Sequence, residues 1–151
     1  MAGTMVVSSD KLIGAQSGEA DLRVLDITCT HHTDNSFSVA STAITGLVHD
    51  DAAANFLQGW RIETVEAVPD GTTAPTDGTD LTIKDDTIAL DILDGNGTDL
   101  IDATTATGTY CAIDGQPYAW PVSGTLTFAT ANNAVASAIF TLRLNCIRAR
   151  G

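Results

Sequence analysis

The chain of 151 residues carries 19 acidic against 7 basic side chains, a formal net charge of -12, with 44% hydrophobic and 5% aromatic residues. That length suits one domain whose folding hides about 68–70% of the unfolded chain's surface, so a core can form without disulfide staples. The acidity excludes a nucleic-acid binder, whose affinity comes mainly from cations neutralising phosphates, and equally excludes docking on anionic lipid.

Disorder is excluded too, because only 17% of residues are charged and the apolar share can offset ordering entropy. No apolar run approaches the roughly 18–20 residues of a membrane-spanning helix. No basic residue precedes the short apolar stretch Met5 to Val7, so a secretory signal is not expected and synthesis in a cytoplasm is. Cys29, Cys111 and Cys146 are odd in number and widely spaced, as suits reduced thiols packed as small hydrophobes.

In chain order, residues 1–20 are weakly patterned and are expected as an extended N-terminal arm, with the domain spanning 21–151. From there the apolar period is two. Leu25, Ile27 and Cys29 share one strand face and Leu22, Val24 and Asp26 the other. Phe37, Val39, Ser41 and Ala43 form a second series. Asp50 to Gly59, with acidic residues first, three alanines and a closing glycine, predicts a helix of one or two turns. Trp60, Ile62, Thr64, Glu66 and Val68 predict a strand, and Trp60 is expected in the core. Leu81 and Ile83, then Ile88, Leu90 and Ile92, predict two more. The last pair is Leu126 with Phe128, and Phe140 to Cys146, separated by Asn132-Asn133. Alternation with threonine on the solvent side marks half-buried antiparallel strands. Asp-Gly at Asp70, Asp77, Asp94 and Asp114 supplies tight turns. The fold class is therefore all-β: a single-domain antiparallel sandwich with Greek-key or jelly-roll connections and one short helix.

Candidate chemistry is sparse. Asp94 to Asp99 (DGNGTD) has carboxylates spaced as in calcium loops, but Asp99 and Thr105 stand where an EF-hand needs glycine and glutamate. A glycine-rich turn is the expectation there. Cys29, His31 and His32 offer at most two ligands on one strand face, two short of structural zinc, so exposed imidazoles at a strand end are expected. No nucleophile elbow, P-loop or dinucleotide fingerprint occurs, and His49-Asp50-Asp51 fits a helix start. No catalytic residue, metal or cofactor is expected. The remaining handles are Tyr118 and Trp120, which suit a subunit contact or, alternatively, sugar stacking, and Arg148 and Arg150, a cationic end on an acidic body.

One order of landmarks carries a resemblance: Gly59-Trp60 opening a strand, GTTAPTDGTDLTI (Gly71 to Ile83), DILDGNGTDLID (Asp91 to Asp102), and VSGTLTFATANNAVASAIFTLRL (Val122 to Leu144). This succession resembles small β-rich structural proteins of tailed-bacteriophage virions, of the head-decoration, cement or minor structural type. In these a Trp strand precedes an A-P-T loop, an Asp- and Gly-rich strand pair, and a terminal hairpin with an Asn-rich turn. Residues Asp102 to Tyr118 depart from the pattern. The resemblance implies a non-enzymatic role in capsid or tail architecture, with the major capsid protein or other virion subunits as partners; the charge of -12 favours the outside of a shell over its inside, and threefold lattice positions favour a homo-oligomer, a trimer first. Neither nucleic acid nor membrane is expected as a partner. A tail, fibre-base or head-fibre component, or a carbohydrate-binding module using Tyr118 and Trp120, are the alternative expectations.

Overall fold

A computed structural model describes residues 2–14, 20–49 and 55–149. Twelve strands are described: β1 (Thr4–Gly14), β2 (Ala20–Thr30), β3 (Ser38–Ala40), β4 (Arg61–Pro69), β5 (Asp80–Asp85), β6 (Leu90–Asp91), β7 (Thr107–Tyr110), β8 (Ala112–Ile113), β9 (Gln116–Pro117), β10 (Trp120–Pro121), β11 (Leu126–Ala131) and β12 (Ile139–Ala149). The larger sheet runs β1-β2-β12-β4, and the far edge of β4 is taken first by β10 and then by β7. The smaller sheet runs β3-β11-β5-β6, and β8 pairs β9 alone. All strand pairs are antiparallel.

The two main sheets pack as a sandwich because each strand buries alternate side chains. Leu25, Ile27 and Cys29 of β2, Leu142 and Leu144 of β12, and Val65 and Ala67 of β4 are all 0% exposed. They meet Val39, Ile83, Leu126 and Phe128 from the smaller sheet in one core. Phe37 packs edge-on against Phe140 at 5.7 Å, and Phe56 against Phe128 at 6.1 Å. Such ring pairs add about 0.5–1.5 kcal/mol each beyond their buried area. Trp60 is 3% exposed, in the core as its place after Gly59 suggests.

Several expectations are corrected. Thr4–Gly14, expected within an arm, is the edge strand β1, in register with β2 from Thr4↔Thr30 to Gly14↔Asp21. A bulge between Val7 and Ser9 breaks its period of two, which is why the sequence looks patternless there. The helix expected over Asp50 to Gly59 lies outside the described residues as far as residue 54. Its remainder is a tight turn, with Gln58 N–H donating to Asn55 and Trp60 N–H to Leu57, which sits at φ +52°. The Trp60-to-Val68 series does not keep one face. A bulge opposite Asn145 and Cys146 makes Ile62, Val65 and Ala67 the buried residues and turns Thr64, Glu66 and Val68 outward. Ile88 and Leu90 belong to a turn and a two-residue strand, both exposed, not to a longer strand. β11 and β12 do not form a hairpin, because Asn132-Asn133 starts a crossover between sheets.

The Asp-Gly expectation is met at Asp114-Gly115, whose φ values of +50° and +77° form the two-residue turn between β8 and β9. The aspartates also work as acceptors. Seven of the ten between residues 70 and 138 receive a backbone N–H on the side chain: Asp70, Asp77, Asp80, Asp85, Asp91, Asp94 and Asp102. Much of the acidity is thus turn architecture.

Candidate functional site

The residues expected to touch partners divide sharply. Trp120 starts β10 opposite Ile62 and is only 4% exposed. Its indole Nε1–H donates to Asp85 Oδ2 at 3.0 Å, while Asp85 Oδ1 accepts the Thr87 N–H at 3.0 Å. That bond ties β10 of the larger sheet to β5 of the smaller one. Trp120 is therefore a structural clasp between the two sheets, its ring almost wholly buried. Tyr118 stands edge-on to it, ring centroids 5.7 Å apart, and is 40% exposed.

These two rings form one wall of a cleft of about 270 Å³, completed by Asp85, Thr87, Ile88, Ile113, Pro121 and Ser123. Ile88 is 52% exposed, Ile113 37%, and Leu90, which pairs with Asp85, is 50%. Neither isoleucine stood out in the sequence. Ile88 was readable as a strand residue, and Ile113 followed a segment without pattern.

Arg148 is held rather than free. Its Nη2 donates to Asp21 Oδ2 at 3.1 Å, and its guanidinium carbon sits 4.3 Å from the centroid of the Trp60 ring. Beneath lies Arg23, 1% exposed, 5.6 Å from the same centroid, whose Nε and Nη2 grip Asp10 at 2.9 and 2.8 Å. Arg148 thus braces the β2–β12 pair. Arg150 lies outside the described residues.

Near this brace the larger sheet exposes aliphatic surface. Ile13, Leu22 and Ile147 are cross-strand neighbours in one outward row over β1, β2 and β12. Ile13 is 52% and Leu22 44% exposed, and Leu12, on the other face of β1, is 43% exposed. From Lys11 to Gly14 both faces of β1 meet solvent. The adjacent Leu12-Ile13 pair is the sequence signal for this, since a half-buried strand would hide one of the two.

The metal expectations resolve into packing. His31 is 2% exposed, not at an open strand end. Its Nδ1–H donates to the Ala138 carbonyl at 3.0 Å, leaving Nε2 to accept the Thr130 hydroxyl at 2.8 Å. Burial drives its pKa below the ordinary 6.5, against the opposing pull of the Ala138 bond. Burial likewise pushes the Cys111 and Cys146 thiols up to about 12, and the Cys29 thiol higher still. All three cysteines are buried free thiols. In the DGNGTD turn, Asp94 Oδ2 accepts the Gly115 N–H at 2.7 Å, and Asp99 offers its own N–H to Asp80 at 2.8 Å. Among the described residues no group of three His, Cys, Asp or Glu side chains converges as metal ligands would. No helix among them is long and apolar enough to cross a membrane. Of His49-Asp50-Asp51 only His49 is described, and its N–H donates to Asp10 at 3.1 Å.

Set against family models, curated proteins and solved structures, the chain matches none.

Proposed function

We propose that this chain is a non-enzymatic decoration subunit of a tailed-bacteriophage capsid, bound to the outside of the lattice of major capsid protein. The observation that carries this reading is the division of charge across the fold. Strands β1, β2, β4 and β12 hold five acids and five bases, whereas residues 70–138 hold ten aspartates and one lysine. A protein that stays dispersed when free and then coats a shell is served by such a charge-balanced set of strands beside an acidic remainder. The acidic part would keep free subunits apart and be repelled by packaged DNA, which favours the outside of a shell over its inside.

The outer face of the larger sheet suits the lattice side. Val6, Thr28, Thr141 and Val68 form one outward row across β1, β2, β12 and β4. In the next row Arg143 lies between Asp26, at 2.7 Å, and Glu66, at 3.6 Å, one cation against two carboxylates. Val6 is 46% and Val68 38% exposed, so their row offers apolar area and no charged side chain. The succession of landmarks from Gly59 to Leu144 supports the virion assignment on independent grounds.

The test is to mix the purified protein with capsids lacking decoration. Co-sedimentation and a higher capsid melting temperature are expected, and Val6→Asp with Val68→Asp lowers the number of copies bound. A parent protein that neither co-sediments nor stabilises the shell contradicts the proposal.

A further inference from the structure

Every arginine ion pair among the described residues lies on the larger sheet: Arg23 with Asp10, Arg143 with Asp26 and Glu66, and Arg148 with Asp21. No ion pair among the described residues reaches the ten aspartates of residues 70–138, whose one lysine, Lys84, stands across from Asp91. The fold then brings these aspartates together from separate turns. Asp99 donates its own N–H to Asp80 at 2.8 Å. Gly115, next to Asp114, donates to Asp94 at 2.7 Å, and Ala103, next to Asp102, donates to Asp77 at 3.4 Å. We propose that this part of the molecule is an ionic-strength switch: the turns of residues 77–115 close fully only where dissolved salt screens their aspartates, and they open before the larger sheet when salt is withdrawn.

Each of the three bonds holds aspartates of different turns as neighbours, so closing the turns works against like-charge repulsion. Burial of Leu93, Leu100 and Ile101 beneath them pulls the same segment onto the core. The balance between the two depends on salt, because screening weakens the repulsion and leaves the apolar burial in place. Protonation gives no relief at neutral pH. Backbone N–H bonds from Thr104 and Thr105 hold the Asp102 carboxyl below the ordinary 3.8. On the larger sheet salt acts in the opposite sense, since it weakens exposed pairs such as Arg143 with Glu66. The two parts of the molecule therefore respond to salt differently, and that difference is the signature of the switch.

The experiment follows thermal melts and amide hydrogen exchange of the whole chain at neutral pH, from about 10 mM to about 1 M NaCl, over which the screening length falls from about 30 to about 3 Å. The melting temperature is expected to rise with salt. On going to low salt, the N–H groups of Asp99, Ala103 and Gly115 are expected to lose protection by a larger factor than those of the β2–β12 ladder. A double variant, Asp99→Asn with Asp114→Asn, removes two charges at φ of +55° and +50°, a region that asparagine tolerates. It is expected to melt higher than the parent at low salt and together with it at high salt. Choline chloride is expected to act as NaCl does at equal concentration. A melting temperature that stays flat or falls with salt, a variant no more stable than the parent at low salt, or protection lost evenly over both parts overturns the proposal. Stabilisation by NaCl that choline chloride does not reproduce also overturns it, because that marks a bound cation in place of screening.

Discussion

Asp10 concentrates more of the local structure than any other carboxylate in the larger sheet. Its side chain and that of Arg23 are both 0% exposed, and its two oxygens accept Arg23 Nε and Nη2 and the N–H groups of Val48 and His49. Burial pushes its pKa up, but the Arg23 bond, the two backbone donors and the Arg23 charge together outweigh that and hold it below the ordinary 3.8. Breaking such a pair leaves an uncompensated buried charge, so Asp10→Ala is expected to cost about 3–5 kcal/mol in urea unfolding. His31 acts at higher pH. Its folded pKa lies below its unfolded value of 6.5, so the unfolded chain binds the extra proton first. The stability it contributes is complete above pH 6.5 and is lost as pH falls through the folded pKa. His31→Phe, which keeps the ring beside Phe37 and Phe140, is expected to flatten the decline of the urea midpoint below pH 6.5. An unchanged decline counts against this role. Neither residue was legible beforehand. Arg23 sits between Leu22 and Val24 with no sign that it points inward, and its acidic partner lies 13 positions away. Partnership across strands is a property of register, which one sequence does not display.

Elements were legible where the period of two ran unbroken. Leu25, Ile27 and Cys29, and Leu142, Leu144 and Cys146, are buried as their alternation requires. Where a bulge inserts one residue, as at Ser8 in β1 and Glu63 in β4, every side chain beyond it changes face and the pattern reads as noise. Turns show the same split. Asp114-Gly115 announces its hairpin, yet Asp94-Gly95 opens a turn packed beneath β5 whose tightness the sequence conceals. A Cβ on Gly97 would lie 1.9 Å from the Leu81 carbonyl oxygen, the group next to which Leu81 N–H also bonds Gly97 at 2.9 Å. Gly97→Ala is therefore expected to destabilise by about 1–3 kcal/mol, the range for overpacking. Gly71 faces open space at an ordinary φ, so Gly71→Ala is expected to stabilise by about 0.4–1 kcal/mol through the unfolded chain. Thermal melts of the two variants, shifting in opposite directions, check the contrast. Because Asp94 already serves the Gly115 N–H, a chelator is expected to leave the parent's melting temperature unchanged. A fall on chelation indicates a bound cation in that turn.

At the scale of the whole molecule, the chain crosses repeatedly between sheets, with β2, β4 and β12 in the larger one and β3, β5 and β11 in the smaller. That crossing is what collects residues distant in sequence onto one surface. In the linear sequence three of the seven cations, Arg143, Arg148 and Arg150, fall within the last nine positions. In the fold Lys11, Arg23, Arg61, Arg143 and Arg148 all stand on the larger sheet, and Lys84, on β5, is alone on the smaller. The all-β sandwich was legible from alternation and turn residues. The two-sided distribution of charge was not, because it depends on which strands become neighbours. The proposed capsid role, if it holds, implies an orientation for that distribution. The most direct measurement is an electron cryo-microscopy map of capsids incubated with the protein. The account predicts density on the outer surface, with the β1-β2-β12-β4 sheet against the shell and the turns of residues 70–102 facing solvent. Density with those acidic turns against the shell, or no added density at all, contradicts it.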